Sequence, residues 1–183
     1  MQKFISILFI AVTSLCINSS FAQLADLKVV IIRHAEKPAK GDNLTYQGLN
    51  RSMQLPKVLY KKFGKPDYTY IPSMAMDTNT KHSRMFQTVI PMAVKYNLVL
   101  NSKHDEKDYA GIAEDIKSKK GTVLMVWEHK AIAPIVAALG VAESGLIWPD
   151  DDYDSIWIIT FQNGKATLTK DKENLKPSAN CTY

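Results

Sequence analysis

The segment Lys28-Val29-Val30-Ile31-Ile32-Arg33-His34-Ala35-Glu36-Lys37-Pro38 changes character in its middle. One lysine precedes four apolar β-branched residues, the pattern of a strand buried on both faces. An arginine, a histidine and a glutamate then follow at once. The same change occurs after Thr122-Val123-Leu124-Met125-Val126-Trp127, where Glu128-His129-Lys130 opens a helix. In open α/β sheets, ligands bind beyond the carboxyl ends of the strands. Two histidines at equivalent ends of two buried strands, each beside a cationic residue, can face one pocket.

Outward from these runs, strands and helices alternate. Tyr68 to Ile71 reads as a weaker strand ending at Pro72, and Leu98-Val99-Leu100 as another. Ile156 to Phe161 and Ala166 to Thr169 flank Asn163-Gly164, a strong hairpin signal. Thr45 can cap a helix running to Phe63 with Gly64 stopping it, and Pro56 is expected to kink or shorten it. Thr80 or Ser83 starts a second helix whose stripe is Met85, Val89, Met92 and Tyr96, interrupted by Pro91. Ala110 to Lys119 and Ala131 to Leu139 are the remaining helices; Pro134 is tolerable near the first turn of the last. This alternation indicates an α/β layer with a mainly parallel sheet.

The chain has 183 residues, 22% charged and 46% hydrophobic, as for one ordinary globular domain. Two cysteines exclude a disulfide scaffold and cysteine-rich metal sites. A mild net charge of +5 suits a small anionic substrate and does not require nucleic acid. Lys3, the apolar stretch from Phe4 to Ile17 and Ser20-Phe21-Ala22 have the form of a cleaved export signal. The stretch falls short of the roughly 20 residues that span a bilayer, and Leu15 stands where a small residue precedes a lipidated cysteine. The expected product is one domain, residues 23–183, periplasmic or secreted and without a stable membrane anchor. It keeps only Cys181, an inert tail residue.

Arg33-His34-Ala35 resembles the Arg-His-Gly signature of the histidine phosphatase superfamily, in the Arg-His-Ala-Glu-Lys form of one subgroup. Leu44-Thr45-Tyr46-Gln47-Gly48 resembles the family's Leu-Thr-x-x-Gly, and Arg84-Met85-Phe86-Gln87-Thr88 its Arg-Ala-x-Gln-Thr. Val126-Trp127-Glu128-His129 stands where the family places its second histidine. These pieces come in the family's order, although Ser73 precedes Arg84 by a longer segment than usual. The resemblance implies a three-layer α/β sandwich of the phosphoglycerate mutase-like type and an exported phosphatase acting on small phosphomonoesters. It implies His34 as nucleophile, Arg33 and Arg84 as clamps on the phosphoryl oxygens, and His129 as a donor to them, with free N–H groups of the following helix aimed at the anion. No metal or cofactor is needed for that scheme.

Thr45 can touch substrate phosphate, as its counterpart does in the family, or serve only as an N-cap. Lys37 can add charge to the pocket or stand as an exposed loop lysine. His82, His104 and Asp150-Asp151-Asp152 read as solvated, while Asp154 can approach the pocket. The proton donor stays unassigned among Asp105, Glu106 and Glu128; strand alternation points Glu128 away if the strand persists that far. Competing readings are a catalytically weak anion-binding module and a phosphomutase of the same family. A zinc hydrolase built on His34-Ala35-Glu36 lacks the Pro-Cys-x-x-Cys that such deaminases require. The substrate's identity and the oligomeric state stay open.

Overall fold

The computed structural model describes residues 26–74 and 81–181. The expected export signal (1–22) and Thr80 lie outside the described residues. A six-stranded sheet has the order β3-β2-β4-β1-β5-β6. Its strands are β1 Leu27–Arg33, β2 Tyr68–Tyr70, β3 Leu100–Asn101, β4 Gly121–Trp127, β5 Ser155–Gln162 and β6 Lys165–Lys172. The four strands β3, β2, β4 and β1 pair parallel, while β1–β5 and β5–β6 pair antiparallel. The hairpin turn is Asn163-Gly164, with φ of 50° and 76°. Both are positive, as a two-residue turn of this twist requires.

Among the described residues, four helices cover the two faces: α1 Tyr46–Phe63, α2 Ser83–Tyr96, α3 Tyr109–Lys117 and α4 His129–Ala138. Alternation along β1 decides which core each side chain enters. Val29 and Ile31 pack with Val123, Met125, Ile112, Ile132 and Ile135, under α3 and α4. Val30 and Ile32 pack with Leu124, Val126, Leu55, Met85 and Val89, under α1 and α2. The result is the expected α/β sandwich of three layers, with a mainly parallel sheet in the middle.

Several boundaries differ from the sequence reading. Pro56 and Pro91 sit inside continuous helices. Each removes one backbone hydrogen bond, at a cost of about 3 kcal/mol, but Leu55 and Leu59 lock against Met85, Val89 and Met92 and hold both helices together. The strand expected at Leu98–Leu100 begins only at Leu100. Asn97 turns left-handed at φ 50°, and the Leu98 amide still closes α2 on Ala93. The last helix starts at His129 rather than Ala131, capped by the Glu128 side chain on the Lys130 amide, so Pro134 lies past its first turn.

Under α1 sits a buried ionic cluster. Arg51 Nε donates to both Glu36 oxygens at 3.0 and 3.1 Å, and its Nη1 reaches Glu173 at 2.5 Å and Asp154 at 3.3 Å. Asp154 thus belongs to this cluster and not to the pocket, as its further bonds from the Asn174 and Leu175 amides show. Burial pushes the Glu173 carboxyl up to about 8, against the pull of Arg51. The folded protein therefore holds this proton up to about pH 8, whereas an ordinary glutamate releases it near 4.5. The contribution to stability is full below pH 4.5 and is lost as pH rises through 8, at about 1.4 kcal/mol per unit of difference. Glu173→Gln should flatten that decline, measured as urea midpoints from pH 5 to 9. A variant with the parent's slope would show that Glu173 is ionised in the fold.

Candidate active site

The parallel register pairs Arg33 with Trp127, so β1 and β4 end side by side. The His34 amide then bonds the Trp127 carbonyl at 3.1 Å. One residue beyond each strand, the chain leaves the sheet and delivers His34, Glu128 and His129 to the same place. One ligand-type atom from each of these three lies within 4.8 Å of the others.

The loop carrying His34 is fastened from two helices. The Thr45 amide donates to the Glu36 carbonyl at 2.9 Å, and the Thr45 hydroxyl accepts from the Gly48 amide at 3.1 Å. Any side chain at Gly48 would overlap the Glu36 carbonyl oxygen, which explains a glycine at the fifth place of Leu44-Thr45-x-x-Gly48. From α2, Thr88 Oγ1 accepts the Ala35 amide at 2.9 Å, and Gln87 accepts the Leu44 amide at 2.9 Å. Much of each motif is therefore scaffold for the histidine loop.

His34 is 1% exposed. Its Nδ1 lies 2.7 Å from the Ala35 carbonyl oxygen, which can only accept, so Nδ1 carries the proton. Nε2 is left as a buried lone pair with no hydrogen-bond partner. Burial lowers its pKa to about 3, and the nearby charges of Arg33, Arg84 and His129 act in the same direction. The ring is neutral throughout the physiological range.

Arg33 is 2% exposed, and burial lowers its pKa from the ordinary guanidinium value. Its Nη1 donates to the Asp150 carbonyl at 2.6 Å, and the guanidinium lies 4.0 Å from the centre of the Tyr153 ring. That loop is anchored by Trp148, whose indole N–H donates to the Asp152 carbonyl at 2.8 Å while the ring packs on Trp157. Asp150 reaches His129 Nε2 at 2.6 Å. Asp150 and Asp151 stay exposed, as the solvated-loop reading expected, but the Asp150 carboxylate borders the site through His129. The sequence carries no signal for this, because the contact joins residues 21 positions apart.

Arg84 bonds the Gly41 carbonyl at 3.1 Å through Nη1, and its Nε is buried with no partner. Lys37 is half-buried and makes no hydrogen bond or ion pair with any described residue, while Thr45 acts as the N-cap of α1. Glu128 corrects a further expectation. The strand stops at Trp127, so alternation does not carry the side chain away; Oε1 lies 2.6 Å from His129 Nδ1. Its other oxygen takes the Lys130 amide at 2.7 Å, so a carboxylate, not an open anion site, occupies the start of α4.

Glu106 joins from the middle of the chain. Burial raises its pKa, the Glu128 charge adding to this and His82 opposing it. His82 Nε2 lies 3.2 Å from Glu106, and His104 sits between Asp108 and Asp115. Neither histidine is solvated as the sequence suggested.

No family model and no curated protein sequence matches this chain. Solved structures do. The protein histidine phosphatase SixA, complexed with tungstate, aligns with a TM-score of 0.60 at 17% identity, over 80% of this chain and 97% of its own. A phosphoserine phosphatase variant from Entamoeba histolytica, in complex with phosphoserine, gives 0.55 at 14%, covering 81% and 97%. Phosphoglycerate mutase from Bacillus anthracis gives 0.54 at 14%, covering 85% and 94%. The order of strands, the three layers and these alignments agree that the chain has the phosphoglycerate mutase-like fold.

Proposed function

We propose that the protein is an exported phosphatase that hydrolyses small phosphomonoesters through a phosphohistidine at His34. The observation that carries this is the state of His34: neutral, fixed by Nδ1–H on Ala35, with Nε2 free beside two arginines. The fold supports the reading, since structures of this architecture are phosphatases and mutases.

In this mechanism the Nε2 lone pair attacks phosphorus and the bond to the leaving oxygen breaks. Arg33 and Arg84 stabilise the charge on the equatorial oxygens. The leaving alkoxide takes a proton from Glu106, whose carboxyl burial and the Glu128 charge push above the ordinary glutamate range. Water then attacks phosphorus, the P–N bond breaks, and phosphate leaves. An entering phosphoryl group has to displace the Asp150 carboxylate from His129 Nε2, which then donates to the substrate instead. A groove of about 650 Å³ beside Leu44, Thr45 and Gln87 offers room for the alcohol portion.

A panel of phosphomonoesters tests the activity: purified protein should release phosphate from some of them, with chelator present. Stoichiometric phosphate binding without release would favour the anion-binding reading. Within an active protein, Arg84→Ala should cost roughly 10²–10³ in turnover, the usual loss for one preorganised donor to a developing charge, with an unchanged melting temperature. Parent-like turnover would place Arg84 outside the site. Export is checked by N-terminal sequencing of periplasmic or secreted protein, which should begin at Gln23; full-length protein confined to the cytoplasm would refute it.

A further inference from the structure

We propose that His34, Glu128 and His129 form a binding site for a zinc-class divalent cation, and that the ion competes with a phosphoryl group for His34 Nε2. The first half stands on the site's own geometry; the second rests on the phosphatase reading.

Both histidines are arranged as metal ligands are. A metal-binding imidazole usually donates its other N–H to a backbone carbonyl or a carboxylate, which fixes the ring and raises its basicity. His34 does this with the Ala35 carbonyl at 2.7 Å, and His129 with the Asp150 carboxylate at 2.6 Å. The remaining nitrogens, His34 Nε2 and His129 Nδ1, are buried without a hydrogen-bond partner. The residues are 1% and 5% exposed, so bulk water does not satisfy these atoms.

Glu128 completes the set. Its Oε1 lies 2.6 Å from His129 Nδ1 but off the line of a hydrogen bond. A cation shared by the carboxylate oxygen and the ring nitrogen takes the place of a proton between them. Two imidazoles and one carboxylate are a known zinc donor set that leaves a fourth position open. Three donors at bonds of about 2.0 Å stand roughly 3.3 Å apart; the three residues here come within 4.8 Å, so small side-chain rotations close the site. Arg33 and Arg84 oppose a dication, but Arg33 is bonded to the Asp150 carbonyl, and the Glu128 and Asp150 carboxylates offset the charge.

The test uses purified protein with Co²⁺ as the spectroscopic probe and Zn²⁺ as the competitor. One Co²⁺ per chain should give the strong visible absorption of a low-coordinate site, and Zn²⁺ should abolish it. His34→Gln and Glu128→Gln should each weaken binding at least roughly tenfold, and Asp150→Asn by about tenfold through His129. In the parent, the ring ¹⁵N resonances of His34 and His129 should shift on adding Zn²⁺, a readout that needs no variant to fold. Absent absorption and unshifted resonances, or binding that ignores both glutamine variants, would overturn the site. Zn²⁺ inhibition that falls as substrate rises supports competition, and binding without any effect on turnover refutes it. Binding by a protein that hydrolyses nothing leaves the site standing and counts only against the phosphatase reading.

Discussion

His34→Ala should abolish turnover, by on the order of 10⁴-fold or more, as removal of a covalent nucleophile does, and with it all covalent labelling. In the parent, a quench that avoids acid should trap label from a phosphorylated substrate on His34. The expectation follows from Nε2, the buried lone pair whose ring is already oriented by Ala35. Protonation removes that lone pair, so the acid limit that His34 sets should fall near pH 3, where burial places its pKa, and not near the ordinary 6.5. Rate profiles of kcat/KM against pH read this directly. Full activity in His34→Ala, or label on another residue, would sink the mechanism.

Arg51→Ala should be the most damaging change to stability, costing about 3–5 kcal/mol, because it leaves the buried Glu36 carboxylate without its counter-charge and the Glu173 carboxyl without its hydrogen-bond partner. Arg51 is 5% exposed, and its partners Glu36 and Glu173 are 9% and 3% exposed. Glu173→Gln in the same chain should cost little more, because the bond that the two side chains share is already gone, so the two changes are non-additive in a double-mutant cycle. Urea denaturation of the four proteins measures this. Additive losses would mean that Arg51 acts mainly through packing.

What the sequence made legible follows from range. β1 and β4 could be read because strands buried on both faces carry their burial in consecutive residues, Val29 to Ile32 and Val123 to Trp127. α1 could be read at both ends, from the Thr45 cap and from Gly64 at φ 76°. Its proline misled because the lost backbone bond is local and visible, while the packing of Leu55 and Leu59 against α2 is neither. Within the site, His34 and His129 were legible from their places after the strands. Glu128 was misread by one residue of strand length. The Asp150 contact and the Arg51 cluster were not legible, since partners such as Arg51 and Glu173 lie 122 positions apart without a local pattern.

β1 lies between β4 and β5, pairing Leu27 with Gly121 on one side and Lys28 with Thr160 on the other. A chain made from its N-terminus therefore exposes His34 long before either neighbouring strand exists. Until β4 arrives, Glu128 and His129 have no fixed place; until residues 148–155 follow, Arg33 has nothing to hold it. Such distant pairings make for slow folding, and they also time it. No nascent fragment ending before β5 carries an assembled pocket, so the chemistry of the site is withheld from the growing chain until β5 has been made.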